Sequence, residues 1–342
     1  MKIDRTAKFS LSSVMEVNKL LSPRIIRTPT IRSKTVGPGN IFVKCENLQI
    51  TNSFKVRGAL GALLNYEQSH PKIWRHIRDN GIIACSSGNF AQGLAYATKE
   101  IGLDYTVIVP AGIVESKKNQ IIRYNSAAEI IEVPYAKWRR IMTTSEYSGH
   151  PGFFLSSESN DYVSLSTATV ALEIVQDIPQ VDAILTPYGG GNLSFSTASF
   201  LGAAGFDAKV YAVEVTTGAP LLASMRAGAP VDTPYSSSFI DGIGASFVIP
   251  SQFDRVKEKL AGVLTVTPDE IASSLSLLLL EDKILCEGAG AAAFAAALKY
   301  GPLLNWSNPC AVATGGVINP GTLLQILQGS QHCALQNSKV AA

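Results

Sequence analysis

Short apolar runs that end in a turn of small residues and pass into a helical pattern recur along this chain. That repetition constrains its fold more than any other feature. Ile82-Ile83-Ala84-Cys85 runs into Ser86-Ser87-Gly88-Asn89 and then a helical stretch over 91–101. Ala183-Ile184-Leu185 leads into Gly189-Gly190-Gly191-Asn192 and a helix from Leu193. Further strands are read over 105–109, 128–133, 210–215 and 310–313, the last ending in Thr314-Gly315-Gly316. Strands alternating with helices predict an α/β fold with a largely parallel sheet. In such sheets ligands sit beyond the carboxyl ends of the strands. All three turns of small or polar residues fall there.

The chain has 342 residues, enough for two packed domains or one large one. Hydrophobic residues make up 46% and charged residues 16%, which argues for a well-buried globular body and against a disordered or fibrous one. A net charge of +2 points neither to nucleic acid nor to an anionic membrane surface. The most apolar run, 275–280, is far too short to span a bilayer. Lys2, Arg5 and Lys8 precede no uninterrupted apolar segment, so no signal peptide is expected. Cys45, Cys85, Cys286, Cys310 and Cys333 are widely spaced, form no C-x-x-C, and read as reduced thiols of a cytosolic protein. Two features read as purely structural. Thr267-Pro268-Asp269-Glu270 has the makings of a capped helix start, and the alanine-rich stretch 289–297 those of a closely packed helix.

The stretch T-N-S-F-K-V-R-G, from Thr51 to Gly58, places Lys55 where a helix begins. The helix dipole is already positive there, and small and apolar residues surround the position. An ammonium so placed loses its proton more readily, and a neutral amine is a nucleophile suited to Schiff-base chemistry. The same residue also reads as a surface lysine beside an arginine. Gly189-Gly190-Gly191-Asn192 lets successive N–H groups converge at a helix N-terminus, which suits a phosphate. It serves equally as a tight strand-to-helix connection. It is neither a P-loop nor a G-x-G-x-x-G turn. Ser86-Ser87-Gly88-Asn89 admits a carboxylate or a flat ligand close to the backbone, or caps a helix. Thr314 ends a strand with a hydroxyl able to bond a ring nitrogen, or simply opens a Thr-Gly turn.

Taken in this order, a lysine at a helix start, S-S-G-N, a triglycine and T-G-G resemble one family. It is that of the pyridoxal-phosphate enzymes of the tryptophan synthase β-subunit type, fold type II. K-C-E-N-L-Q at Lys44 to Gln49 and S-F-K-V-R-G at Ser53 to Gly58 are most similar to its serine/threonine dehydratase and serine racemase branch. The resemblance runs from about Ser22 to about Gln325. The S-V-K-D-R and G-T-G-G-T of the cysteine synthase branch are absent.

The resemblance implies two parallel-sheet domains with pyridoxal 5'-phosphate in the cleft between them. The large domain would comprise 1–80 and 152–342, and a small mobile domain 81–151 would carry the S-S-G-N loop. It implies that Lys55 holds the cofactor as a Schiff base, away from strong anions. Phe54 would flank the ring, and Asn89 would bond its 3-hydroxyl. Gly189, Gly190, Gly191, Asn192 and Leu193 would hold the phosphate through backbone N–H groups. Gly242 and Glu287 would lie near the cofactor, and Thr314 would face the pyridine nitrogen. Ser86, Ser87, Gly88 and Asn89 would receive the substrate carboxylate. Ser87 would also be the acid/base on the face opposite Lys55 in a racemase. The activity implied is α,β-elimination of a β-hydroxy amino acid of the serine/threonine type to a 2-oxo acid and ammonia. β-Replacement, racemisation and a silent binding protein that has kept the fold stand as alternatives. A homodimer is a further family expectation.

The chain departs from the family pattern at several places. Asn192 stands for a fourth glycine, T-G-G-V-I-N for S-G-G-N, and Phe90 for a histidine. Pro220 stands where a second acid would join Glu214 in the racemase-like metal site, so no metal is expected. These changes bear on the substrate more than on the cofactor. No regulatory domain like that of the feedback-inhibited dehydratases is expected.

Overall fold

The computed structural model describes residues 7–35 and 39–329. Lys2, Arg5 and Cys333 lie outside the described residues. Each run read from the sequence as a strand forms one. In chain order these are β1 Thr30–Arg32, β2 Phe42–Lys44, β3 Ile82–Cys85, β4 Tyr105–Pro110, β5 Glu129–Val133, β6 Phe153–Phe154, β7 Ala183–Pro187, β8 Lys209–Val215, β9 Gly262–Val266 and β10 Pro309–Val312. They form two sheets, one ordered β1-β2-β10-β7-β8-β9 and one ordered β5-β4-β3-β6. Every pairing is parallel except that of β1 with β2. Every residue of β3, β7 and β10 is buried. Both faces of these strands are therefore covered, which is why their sequences run continuously apolar instead of alternating.

The helix Lys55–Ser69 carries Leu60 and Leu63 into one apolar cluster that also holds Ile82 and Leu94 from the smaller sheet's side. The same cluster takes in Val163, Leu172 and Ile184 from the larger sheet's side. The alanine-rich helix, Gly288–Leu304, is buried from Gly288 through Ala297. A Cβ at Gly290 would lie 2.6 Å from the Gly315 carbonyl, so that helix approaches the T-G-G turn backbone to backbone. Thr267 caps the helix Pro268–Leu280. Its hydroxyl accepts from the Glu270 N–H at 3.2 Å, while the Glu270 carboxylate accepts from the Thr267 N–H at 2.8 Å. Cys45, Cys85, Cys286 and Cys310 are free thiols, all buried.

Candidate active site

Lys55 opens its helix, directly after Phe54. Two backbone contacts tie this turn to the end of β10. The Phe54 N–H donates to the Thr314 carbonyl at 3.2 Å, and Ser53 bridges Gly315. Below it, Arg57 is fully buried. Its guanidinium donates to Glu46 through Nε and Nη2, both at 2.8 Å, and to Glu173 at 2.8 and 2.9 Å. Lys44 completes the group, 2.6 Å from Glu173 and 2.7 Å from the Thr28 carbonyl. The turn that carries Lys55 is thus held from both sides.

Burial pushes the Lys55 ammonium below its ordinary range, while Glu158 opposes the shift. The expectation that Lys55 stands away from strong anions is therefore corrected. Glu158 Oε1 lies 4.0 Å from Lys55 Nζ. The neutral amine is favoured by desolvation, which outweighs the facing carboxylate.

Ser86 to Asn89 leave the carboxyl end of β3 and enter the helix Asn89–Ile101. No side chain caps that helix. Ser86 Oγ accepts from the Gly88 N–H at 3.4 Å, and Asn89 Nδ2 donates to Glu287 Oε1 at 3.0 Å. The triglycine follows β7 and opens the helix Asn192–Ala204. Gly191 has φ +87°, a left-handed conformation, and a Cβ there would lie 2.7 Å from the Tyr188 hydroxyl. A Cβ at Gly190 would lie 2.5 Å from Glu158 Oε1, and one at Gly189 would lie 2.9 Å from the Gly242 carbonyl. Side chains at these positions would fill the cup. Asn192 turns its amide away from it. Its Oδ1 accepts from Ser164 Oγ at 2.5 Å, and its Nδ2 donates to Thr167 at 3.3 Å. Only its backbone remains for a ligand.

Glu287 is buried and held by Asn89 and by the Val317 N–H, the latter at 3.3 Å. Burial, reinforced by Asp241, pushes its carboxyl up to about 7. A Cβ at Gly315 would lie 2.5 Å from Glu287 Oε1, so the turn after Thr314 must be glycine for this carboxyl to fit. Phe54 and Lys55, the four residues of S-S-G-N, Gly189 through Leu193, Gly242, Glu287 and Thr314 all line one cavity of about 220 Å³. Glu214 lies apart from it. Its two oxygens accept from the Leu221 and Leu222 N–H groups, each at 2.8 Å.

Among the wall residues that sequence reasoning missed are Glu158, Lys117, Trp138 and Met142. Lys117 pairs with Asp241 at 2.9 Å across the cavity. None of the four sits in a turn of recognisable chemistry. Glu158 lies within Ser156-Ser157-Glu158-Ser159, where no periodicity or spacing distinguishes it.

The cavity therefore offers a readily deprotonated amine, a side-chain-free cup at a helix N-terminus and a strand-end hydroxyl. These fit an aldehyde-bearing heteroaromatic phosphate. The sequence matches the family described as "Pyridoxal-phosphate dependent enzyme" over residues 21–315. The chain belongs to that family. Pyridoxal 5'-phosphate is its cofactor, and its fold is fold type II. The L-threonine ammonia-lyase of Thermotoga maritima is 28% identical over 296 residues, covering 84% of this chain and 71% of that one. The catabolic L-threonine dehydratase of Escherichia coli K12 is 28% identical over 323 residues, covering 93% and 95%. The serine racemase of Dictyostelium discoideum superposes with a TM-score of 0.78 at 27% identity, covering 92% of this chain and 100% of that one. The protein is thus a pyridoxal-phosphate-dependent enzyme of the lyase and racemase group, acting on a small molecule. No described helix is long and apolar enough to cross a membrane.

Proposed function

We propose that this enzyme catalyses α,β-elimination of a β-hydroxy amino acid of the serine/threonine type, releasing a 2-oxo acid and ammonia. The observation that carries the reading is Lys55. It is an amine lowered by burial, at a helix start, within one cavity with both the triglycine and S-S-G-N. Lys55 would hold the cofactor, the backbone N–H groups of Gly189 through Leu193 would hold its phosphate, and Asn89 and Thr314 would address its ring. The bound cofactor supplies an electron sink for the substrate's α-carbon. Ser86 through Asn89 take the α-carboxylate, and Lys55, once released, takes the α-proton. Phe54 and Phe90 line the cavity with their ring centroids 5.1 and 5.9 Å from Lys55 Nζ. Thr314, which lines the cavity, would offer the ring nitrogen a hydroxyl rather than a carboxylate, and a hydroxyl would not hold that nitrogen protonated, which would favour elimination over transamination.

Ser87 favours racemisation as a second reading, because it shares the cavity with Lys55 and carries a hydroxyl that can exchange a proton. The residues 81–151 act as the small domain that closes on the substrate carboxylate. The enzyme works as a cytosolic homodimer.

The test is the absorbance of the purified holoenzyme with L-serine, L-threonine and their D-forms, beside Lys55→Ala. A cofactor band perturbed by one of them, with 2-oxo acid appearing, is the expected result. Interconversion of enantiomers without oxo acid replaces elimination with the racemase reading. A band that none of them perturbs refutes the serine/threonine assignment.

A further inference from the structure

The cavity holds three carboxylates, and two of them are accounted for. Asp241 pairs with Lys117, and Glu287 accepts from Asn89 and Val317. Glu158 is 5% exposed, yet among the described residues no hydrogen bond reaches its carboxylate. Burying a carboxylate without donors is costly, so its place must be imposed from behind. Its carbonyl accepts from Gln252 Nε2 and, at 2.6 Å, from Arg255 Nη1. Its N–H donates to Ser156 Oγ at 3.3 Å. The Arg255 guanidinium is committed to Asp161 at 2.9 Å and does not neutralise Glu158. The side chain lies against the bare Cα of Gly190, and among the described residues the one cation within 4.0 Å of its carboxylate is Lys55 Nζ.

We propose that Glu158 relays a proton from Lys55 to the departing β-hydroxyl. The inference rests on the elimination reading. Lys55 Nζ takes the α-proton, and the resulting ammonium passes a proton to Glu158. A small side-chain rotation or one bridging water closes the 4.0 Å gap. The Cα–H electron pair becomes the Cα–Cβ double bond as the Cβ–O bond breaks. The hydroxyl leaves with its electron pair, takes the proton from Glu158 and departs as water. Lys55 is then neutral, as it must be to rebond the cofactor, and Glu158 is again ionised. No outside acid is consumed. Nζ must itself touch the hydrogen on Cα, one bond from the carbon that bears the leaving group, and Glu158 lines the same cavity 4.0 Å from Nζ.

The experiment compares L-serine, whose hydroxyl needs a proton to leave, with β-chloro-L-alanine, whose chloride does not. In Glu158→Gln the ratio of the chloroalanine rate to the serine rate is expected to rise by about 100-fold, the usual worth of general acid catalysis. Cofactor loading is read independently by absorbance titration. The Lys55 step is read by exchange of the α-hydrogen of L-alanine in deuterated water, and exchange is expected to persist. If the Gln variant does not load, Glu158→Asp decides on the same criterion, with a smaller rise expected. An unchanged ratio in a loaded variant, with both rates falling together or neither falling, overturns the relay and leaves elimination standing. A wild-type enzyme that eliminates from neither substrate overturns the elimination reading and the relay with it.

Discussion

Glu287 gives the site a titration that can be measured without catalysis. In the folded protein its carboxyl is pushed from an ordinary 4.5 up to about 7, mainly by burial and then by Asp241. Below 4.5 folded and unfolded chains both carry the proton, and no difference arises. Between 4.5 and about 7 the folded chain holds a proton that the unfolded chain has lost, so stability declines as pH rises. Above that range both are ionised, and the folded chain carries a buried charge. At ~1.36 kcal/mol per pH unit, the interval amounts to ~3 kcal/mol. Glu287→Gln removes this dependence. The Gln carbonyl can still accept from Asn89, whose amide lies 3.0 Å from Glu287 Oε1. Glu214, also pushed up to about 7 by burial, is present in both proteins and cancels in the comparison. Urea unfolding of the cofactor-free proteins at pH 5 and pH 8 measures the effect. Relative to wild type, the variant should gain ~2.5 kcal/mol between pH 5 and pH 8, since the measurement starts half a unit inside the interval. If both proteins show the same pH dependence, Glu287 does not hold its proton near neutrality, and burial does not dominate its titration.

Two further outcomes follow from the geometry. Gly190→Ala puts a Cβ 2.5 Å from Glu158 Oε1 and 2.7 Å from its Cγ, beside a residue whose carbonyl is clamped, so cofactor affinity in an absorbance titration should fall by at least about ten-fold. Arg57→Leu strips Glu46 and Glu173 of their guanidinium and should cost ~3–5 kcal/mol of stability by urea unfolding, whereas replacing the whole group with apolar residues should cost far less.

The strands were legible because burial on both faces leaves a continuous apolar signature, as in β3, β7 and β10. The glycine cup was legible because left-handed backbone and close approach demand glycine, as at Gly191. Lys117 and Asp241 could not be read. They meet at 2.9 Å only because the helix Glu115–Tyr124 and a loop distant in sequence come together at one cavity, and ion pairing across such a distance leaves no periodic trace. Glu158 is hidden for a related reason. Its environment is built by Gln252 and Arg255, close to a hundred positions further along the chain.

The motif around Lys55 holds four other charged or chargeable groups in its sequence neighbourhood, and their fates explain its composition. Lys44, Glu46 and Arg57 never reach the cavity. With Glu173 they form a buried group beneath it, each cation matched to a carboxylate within 2.9 Å. Such a group adds little stability over an apolar core of the same shape, since desolvation offsets most of the attraction. What it supplies is direction. Bidentate guanidinium contacts fix where Arg57 sits, and Arg57 lies two residues beyond Lys55 on the same helical turn. Cys45 lies beside this group, and burial pushes its thiol up to about 12, so it stays inert. Lys55 alone is left without a matched partner. It faces a single carboxylate at 4.0 Å and keeps a fifth of its side chain exposed to the cavity. Pairing with Glu46 and Glu173 keeps the Arg57 guanidinium charged, whereas burial favours loss of the Lys55 proton, as proton transfer at a substrate's α-carbon requires.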